Sequence, residues 1–205
     1  LAHRSRHAWV VNSLGLAKLG ITRGFMAPAG GWVERDATSG EPTGLLIDMD
    51  DHLRRHLPLL APPERFRSSL RRSCQTLLSG GVTTIQDASV ANDLAAYEAF
   101  RTWIADGDIR LRVMLLIGAS ALPEVIDAGL TPGRGSPFLR VQGVKIRLDE
   151  ASGALHPLPE VVKAQIWSAQ DQGFPVAIRA VEVPALVSAL HAIRQAQARL
   201  PGTKL

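Results

Sequence analysis

Residues 111–117 read Leu-Arg-Val-Met-Leu-Leu-Ile, an apolar run broken only by Arg112 and too short for a helix. Such a run has the length of a strand covered on both faces, the way a parallel sheet buries its strands. The same grammar returns at 82–86 (VTTIQ), at 138–148 as one long strand or two short ones broken at Gln142-Gly143, and at 175–180 (PVAIRA). Helical stretches lie around them. One is opened by Pro62-Pro63-Glu64, runs to residue 78 and ends at Gly80-Gly81; others cover 91–105, 121–129, 158–172 and 184–199. From residue 61 onward the order is α-β-α-β-α-β-α-β-α. That alternation predicts parallel strands joined by helical crossovers. Four βα units suit either a doubly wound sheet or half of a (β/α)8 barrel, because a complete barrel takes about 250 residues.

Upstream, residues 7–20 place Val10, Leu14, Leu16 and Leu19 at helical spacing ahead of Gly20, which predicts a helix with a glycine cap. Residues 31–35 and 43–48 read as two strands of a hairpin joined by a Ser-Gly loop. The expected organisation is an N-terminal helix and hairpin over 1–60, then an α/β region over 61–205.

Composition narrows the classes. The chain has 205 residues, of which 46% are hydrophobic and 20% charged, values of a folded domain with a core. A single cysteine, Cys74, excludes a disulfide framework and a Cys-rich zinc site. No apolar run reaches the roughly 18–20 residues of a membrane helix, and the N-terminus lacks the order of a signal peptide, so a cytoplasmic protein with no membrane partner is expected. The net charge of +4 comes mostly from scattered arginines. Only Arg65, Arg67, Arg71 and Arg72 cluster, and on a helix they spread around half of it as a solvated face. With no aromatic interleaving and no binding motif, nucleic acid is not an expected partner. Gly133-Arg134-Gly135 opens no helix, and no Gly-x-Ser-x-Gly is present, which disfavours dinucleotide binding and serine hydrolysis. The chain opens on Leu1, not Met, and reads as a fragment.

Function in α/β sheets sits at the carboxyl ends of the strands. That rule selects Gln86-Asp87, Gly118-Ala119-Ser120, the segment from Lys145 to Glu150, and the segment from Arg179 to Glu182. Lys145 has apolar neighbours on both sides and is expected to point inward, where an ammonium is costly unless paired or chemically changed. Asp87 or Asp149 could pair with it. Asp87, Asp149 and Glu150 could supply a general base or a metal ligand, but taken alone acidic residues at strand ends read as helix caps. His52 and His56 have metal-binding spacing, but His-Leu-Arg-Arg-His lacks the glutamate of a metalloprotease helix.

Five strings, taken in order, resemble one family. They are 7–13 (HAWVVNS), 31–36 (GWVERD) with 40–46 (GEPTGLL), 81–88 (GVTTIQDA), 143–146 (GVKI) with Leu148-Asp149, and 175–178 (PVAI). Together they resemble the YtcJ-like metal-dependent amidohydrolases, related to N-substituted formamide deformylase. The resemblance implies a partial (β/α)8 TIM barrel with an N-terminal helix and β-hairpin insertion. It implies hydrolysis of amide- or formamide-type C–N bonds of a small molecule, with a divalent metal, zinc foremost, activating water. By the same resemblance Lys145 stands at the position of a metal-ligating, often carboxylated lysine, and Asp149 in a catalytic segment. His7, Trp9, Asn12 and Gln86 fall in substrate-binding segments, and Trp32 near the barrel mouth.

The departures bear on activity. The ligand histidine that the family pattern places at position 179 is Arg179 here, and a guanidinium offers no lone pair to a metal. The family's His-x-His and final aspartate fall outside the window. Arg179 is expected to pair with Glu182, Asp149 or a carboxylated Lys145. The chain is therefore expected to be a fragment or degenerate member, inactive alone, or else a non-catalytic scaffold or partner subunit. A half barrel with open edges is expected to self-associate or to pair with the missing half.

Overall fold

The computed structural model describes residues 1–4, 7–28, 30–50, 52–53, 63–151 and 153–199. The chain divides into two compact units, one holding residues 1–62 with 151–153 and the other residues 63–150 with 154–205. No helix of the described residues is long and apolar enough to cross a membrane.

The first unit holds a three-stranded antiparallel sheet, order β1-β3-β2, and a short helix that follows β1. Strands β2 (Trp32–Arg35) and β3 (Pro42–Ile47) are the expected hairpin. The helix expected over 7–20 is half strand. Ala8–Val10 forms β1 and pairs with β3, with Trp9 opposite Leu46, and only Ser13–Lys18 is helical (α1). Asn12 starts that helix, its side chain accepting from the Gly15 N–H at 2.9 Å. Gly44 lies in the left-handed region (φ +102°), where a Cβ would meet the Val11 carbonyl oxygen at 2.2 Å. Leu19, Ile21, Val33, Leu46, Met49 and Leu53 form this unit's core.

In the second unit the helices and strands alternate as expected: α2 (Pro63–Ser79), β4 (Thr84–Asp87), α3 (Leu94–Ala105), β5 (Arg112–Gly118), α4 (Leu122–Asp127), β6 (Leu139–Ala151), α5 (Pro159–Asp171), β8 (Val176–Ala180) and α6 (Val183–Arg199). One short strand was not foreseen: β7 (Ala154–His156) follows β6 and pairs with it. Strands β4, β5, β6 and β8 are neighbours in that order, and every pairing among them is parallel. This order separates the two candidate architectures. A doubly wound sheet reverses its strand order at a switch point. A sheet that adds each strand beside the last, through right-handed crossovers, keeps all its helices on one side. The sheet is thus a four-stranded part of a (β/α)8 barrel, with a helix-covered face and a concave face.

The core lies on the helix-covered face. Val113, Leu115 and Ile117 of β5 meet Val141, Val144, Ile146 and Leu148 of β6 there, all at most 1% exposed. Beyond them, Ala185, Ala189, Ala192 and Ala196 form the buried stripe of α6. Cys74 is a buried residue of α2, as expected. Two expectations need correction. β4 is not buried on both faces: Thr84 and Gln86 are exposed, because β4 pairs only with β5 and has no second neighbour among the described strands. The arginines of α2 are not merely a solvated face, since Arg67 and Arg71 reach Asp106 and Asp108 at 2.5 and 2.6 Å.

β6 contains one detail that decides the site. Leu115 pairs with Val141 but Leu116 with Gly143, so Gln142 is an extra residue bulged out of register. A bulge shifts the two-residue period of a strand by one. Before it, odd-numbered Leu139 and Val141 face the core; after it, even-numbered Val144, Ile146 and Leu148 do. The bulge therefore sends Lys145, Arg147 and Asp149 to the concave face.

Candidate functional site

The concave face is built from the register of four strands. Lys145 lies between Gly118 of β5 and Ala177 of β8, and Arg147 lies beside Arg179. The parallel register brings Arg147, Asp149 and Arg179 toward the carboxyl ends of the strands, where βα barrels carry their chemistry, with Lys145 level with the last residue of β5. Asp149 is the centre of this group. Its Oδ1 accepts a hydrogen bond from Arg179 Nη1 at 2.5 Å, and its Oδ2 forms an ion pair with Arg147 Nε at 2.8 Å. Among the described residues, Asp149, one of the partners expected for Arg179, is in contact with it. Lys145 is half-buried, and burial first, then the charge of Arg179, hold its ammonium below the ordinary lysine value. Among the described residues no carboxylate lies within ion-pair distance of it. The expected pairing of Lys145 with Asp87 or Asp149 is not what the geometry provides.

Asp87 has a structural task. Its Oδ1 accepts from the Ser89 N–H and from Asn92 Nδ2, each at 3.0 Å. Asn92, only 6% exposed, also donates to the Leu116 carbonyl at 2.9 Å. This small network folds the segment after β4 over the end of β5. Gly118 must be glycine there, because a Cβ would sit 2.0 Å from the Val90 carbonyl oxygen. Gln86 is exposed on β4, opposite Met114. Glu182 precedes α6, with its Oε2 buried and without a hydrogen-bond partner among the described residues.

The remaining candidates lie in the first unit. His7 Nδ1 is 2.5 Å from Asp48 Oδ1, and the Asp48 N–H donates to the His7 carbonyl at 2.7 Å. Asp48 holds a left-handed backbone (φ +50°), a conformation a short polar residue tolerates better than most. Trp9 is half-buried against the core of this unit, and Asn12 is occupied as a helix cap. Trp32 is half-exposed beside Phe25 and Met26, in an open pocket of about 400 Å³. His52 packs edge-on against Phe25 at 5.5 Å, while His56 lies outside the described residues. Lys145, Asp149 and Arg179 are thus brought together on one face, while His7, Trp9 and Asn12 belong to a different unit.

Arg147 and Asn92 escaped the reading of the sequence. Arg147 carries a signal, since it alternates with Lys145 and Asp149 at the strand period. Asn92 carries none, because it lies in a turn and its buried partner is the Leu116 carbonyl of another strand.

The residues present do not fit a divalent metal. Among the described residues no group of three or more His, Cys, Asp or Glu could hold one. Toward the carboxyl ends of β6 and β8 both oxygens of Asp149 are engaged by Arg147 and Arg179, and a guanidinium has no lone pair to give a metal ion.

Comparison with known proteins bears on these strands. The sequence model of the Amidohydrolase family matches residues 1–204. The chain is 27% identical over 213 aligned positions to YtcJ of Bacillus subtilis (strain 168), an amidohydrolase by name, covering 93% of this chain and 39% of that protein. Two solved structures, of uncharacterized metal-dependent hydrolases from Pyrococcus horikoshii OT3 and Pyrococcus furiosus, superpose with TM-scores of 0.65 at 20% identity. They cover 95% of this chain, which spans 41% and 42% of theirs.

Proposed function

The chain belongs to the Amidohydrolase family, and on that premise we propose that it derives from a hydrolase of amide- or formamide-type C–N bonds in small molecules and is by itself hydrolytically silent. The observation that carries this reading is the ion pair of Arg179 with Asp149. A ligand histidine in that place would offer a lone pair; the guanidinium offers five donors and a fixed positive charge. It also engages Asp149, so the aspartate is not free to act as a base. Zinc is the metal we assign to the family's chemistry, with Lys145 as the residue that matches its lysine ligand. The substrate-facing roles of His7, Trp9, Asn12 and Gln86 remain part of the same proposal.

A partner subunit or second copy is the natural complement. On α6, Val183, Leu186, Val187 and Leu190 are exposed at positions i, i+3, i+4 and i+7, an apolar stripe opposite the buried alanines. We propose that this face supports self-association or pairing with a further barrel segment.

The test is an assay of the 205-residue chain against N-substituted formamides and simple amides, with zinc, manganese or cobalt supplied. The expected result is no turnover with any metal, and zinc retained through dialysis more tightly by an Arg179→His variant than by the parent. Turnover by the parent chain with zinc would overturn the silent reading and restore Lys145 as a working ligand.

A further inference from the structure

We infer that a second copy of this chain docks on α5 and α6, its own α6 lying antiparallel to the first about a two-fold axis at the level of residue 188. The inference rests on the association proposed above and names its occupant, face and register; it does not depend on the reaction class.

The face spans two helices. Asp171, the last residue of α5, pairs with Arg199, the last of α6, at 3.0 Å, and the Arg199 guanidinium lies 5.1 Å from the centre of the Trp167 ring. The first helix ends where β8 begins and the second begins where β8 ends. With their last residues side by side, both therefore run in one direction, against β8. Counted back from that contact, Leu158 and Val161 at the head of α5 stand level with Leu186 and Ala189 of α6. Leu158 is 62% exposed and Val161 44%, while Val183, Leu186, Val187 and Leu190 are 48–73% exposed. These six present on the order of 600 Å², as much as the largest apolar patch on a typical monomer, and a polar rim brings that toward the about 800 Å² that each partner gives to a standard interface.

The choice of a second copy comes from the sequence of α6. Val183, Leu186, Leu190 and Ile193 recur at alternating intervals of three and four, the seam on which one helix packs against another. Between Glu182 and Arg194 the chain has no Asp, Glu, Lys or Arg. Turned end for end about residue 188, this stretch meets itself. Leu186 lies against Leu190 of the second copy, Val183 against Ile193, and Glu182 against Arg194, each pairing made twice. One patch thus serves both sides, as a two-fold dimer requires. Within one chain Glu182 and Arg194 are about 18 Å apart along the helix and cannot meet. Arg194 is exposed, and Oε2 of Glu182 has no hydrogen-bond partner among the described residues. His191, beside the seam, is engaged by Gln195 of its own helix at 2.9 Å. An unrelated partner would have no use for an acid and a base placed symmetrically about the middle of the apolar stretch.

The experiment is sedimentation equilibrium of the 205-residue chain and four variants. The parent is expected to be a dimer. Leu186→Glu should weaken that dimer about a hundredfold, because each dimer loses two central leucines, and should keep the parent's circular dichroism, because the position is exposed. Glu182→Arg and Arg194→Glu should each weaken it about tenfold. The two reversals together should regain most of the parent's affinity, which only a contact between copies allows. Should Leu186→Glu fail to fold, the reversal series decides alone. A dimer indifferent to Leu186→Glu, or reversals that do not compensate, overturns this face and register and leaves association by another surface standing. A chain that stays monomeric throughout overturns the association reading as well. The silent reading is untouched by either result, since it is judged by turnover.

Discussion

Asp108 lies in the turn between α3 and β5, is 1% exposed, and places its carboxylate 2.6 Å from Arg71 Nη1 and 3.4 Å from Arg67 Nε, both on α2. The three partners are not equally removed from water. The Arg71 side chain is 56% exposed, so only the carboxylate has been fully desolvated. This asymmetry orders two substitutions. Arg71→Met leaves a buried charge whose remaining partner is 3.4 Å away, and should cost about 3 kcal/mol, the lower end for breaking a buried pair. Asp108→Asn removes the buried charge along with its desolvation, and should cost only about 1–1.5 kcal/mol, one charge-assisted hydrogen bond weakened to a neutral one. The exposed arginine should thus matter more than the buried aspartate. Urea unfolding followed by circular dichroism, extrapolated to water, measures both. An Asp108→Asn loss equal to or larger than that of Arg71→Met would refute the reasoning, because it would place the stabilisation in the charge itself and not in its compensation.

Three further outcomes follow from single contacts. Gly143→Ala would set a Cβ 2.6 Å from the Pro175 carbonyl oxygen, part of a neighbouring backbone with little room to yield; we expect a loss of roughly 1–3 kcal/mol, read as a lowered midpoint in urea. Asn92→Ala removes the donor shared by Asp87 and the Leu116 carbonyl, and should cost about 1–3 kcal/mol by the same measurement. Lys145 has its folded value held below the ordinary 10.5, so between those two values the unfolded chain binds the extra proton and stability rises with pH across that window. A Lys145→Met variant should lose that rise and be the more stable chain near neutrality. Urea midpoints taken near neutrality and near pH 10 check it, and a parent chain whose midpoint falls over that interval relative to the variant contradicts it.

Much of the fold was legible because the relevant signals are local. The apolar run at 111–117, the glycine pair after α2 and the proline at the head of α5 each announce their element without help from the rest of the chain. The failures have a common cause in long-range pairing. Ala8–Val10 sits at helical spacing with Leu14, yet its backbone pairs with β3 nearly forty residues away, and that ladder overrides the local pattern. The exposure of β4 likewise depends on the strand beside it, which its own composition does not reveal. The strand order that separates a barrel from a doubly wound sheet is also a property of the assembled sheet.

The site was half legible for a reason that can be traced to one residue. Lys145 and Arg179 are marked by their expected place at strand ends; Arg179 stands near the end of β8, while Lys145 lies at the middle of β6, level with the last residue of β5. Their company is set by the bulge at Gln142, which no composition rule predicts. With an unbroken period, the face holding Val141 would also hold Lys145, and the ammonium would face the helices and the core. One extra residue instead sends Lys145, Arg147 and Asp149 to the open face, where the neighbouring register adds Arg179. The exchange of an imidazole for a guanidinium at that last position then does more than remove a ligand. A guanidinium also ties down the aspartate, so that Asp149 is held in an ion pair where a base or a ligand would have to be free.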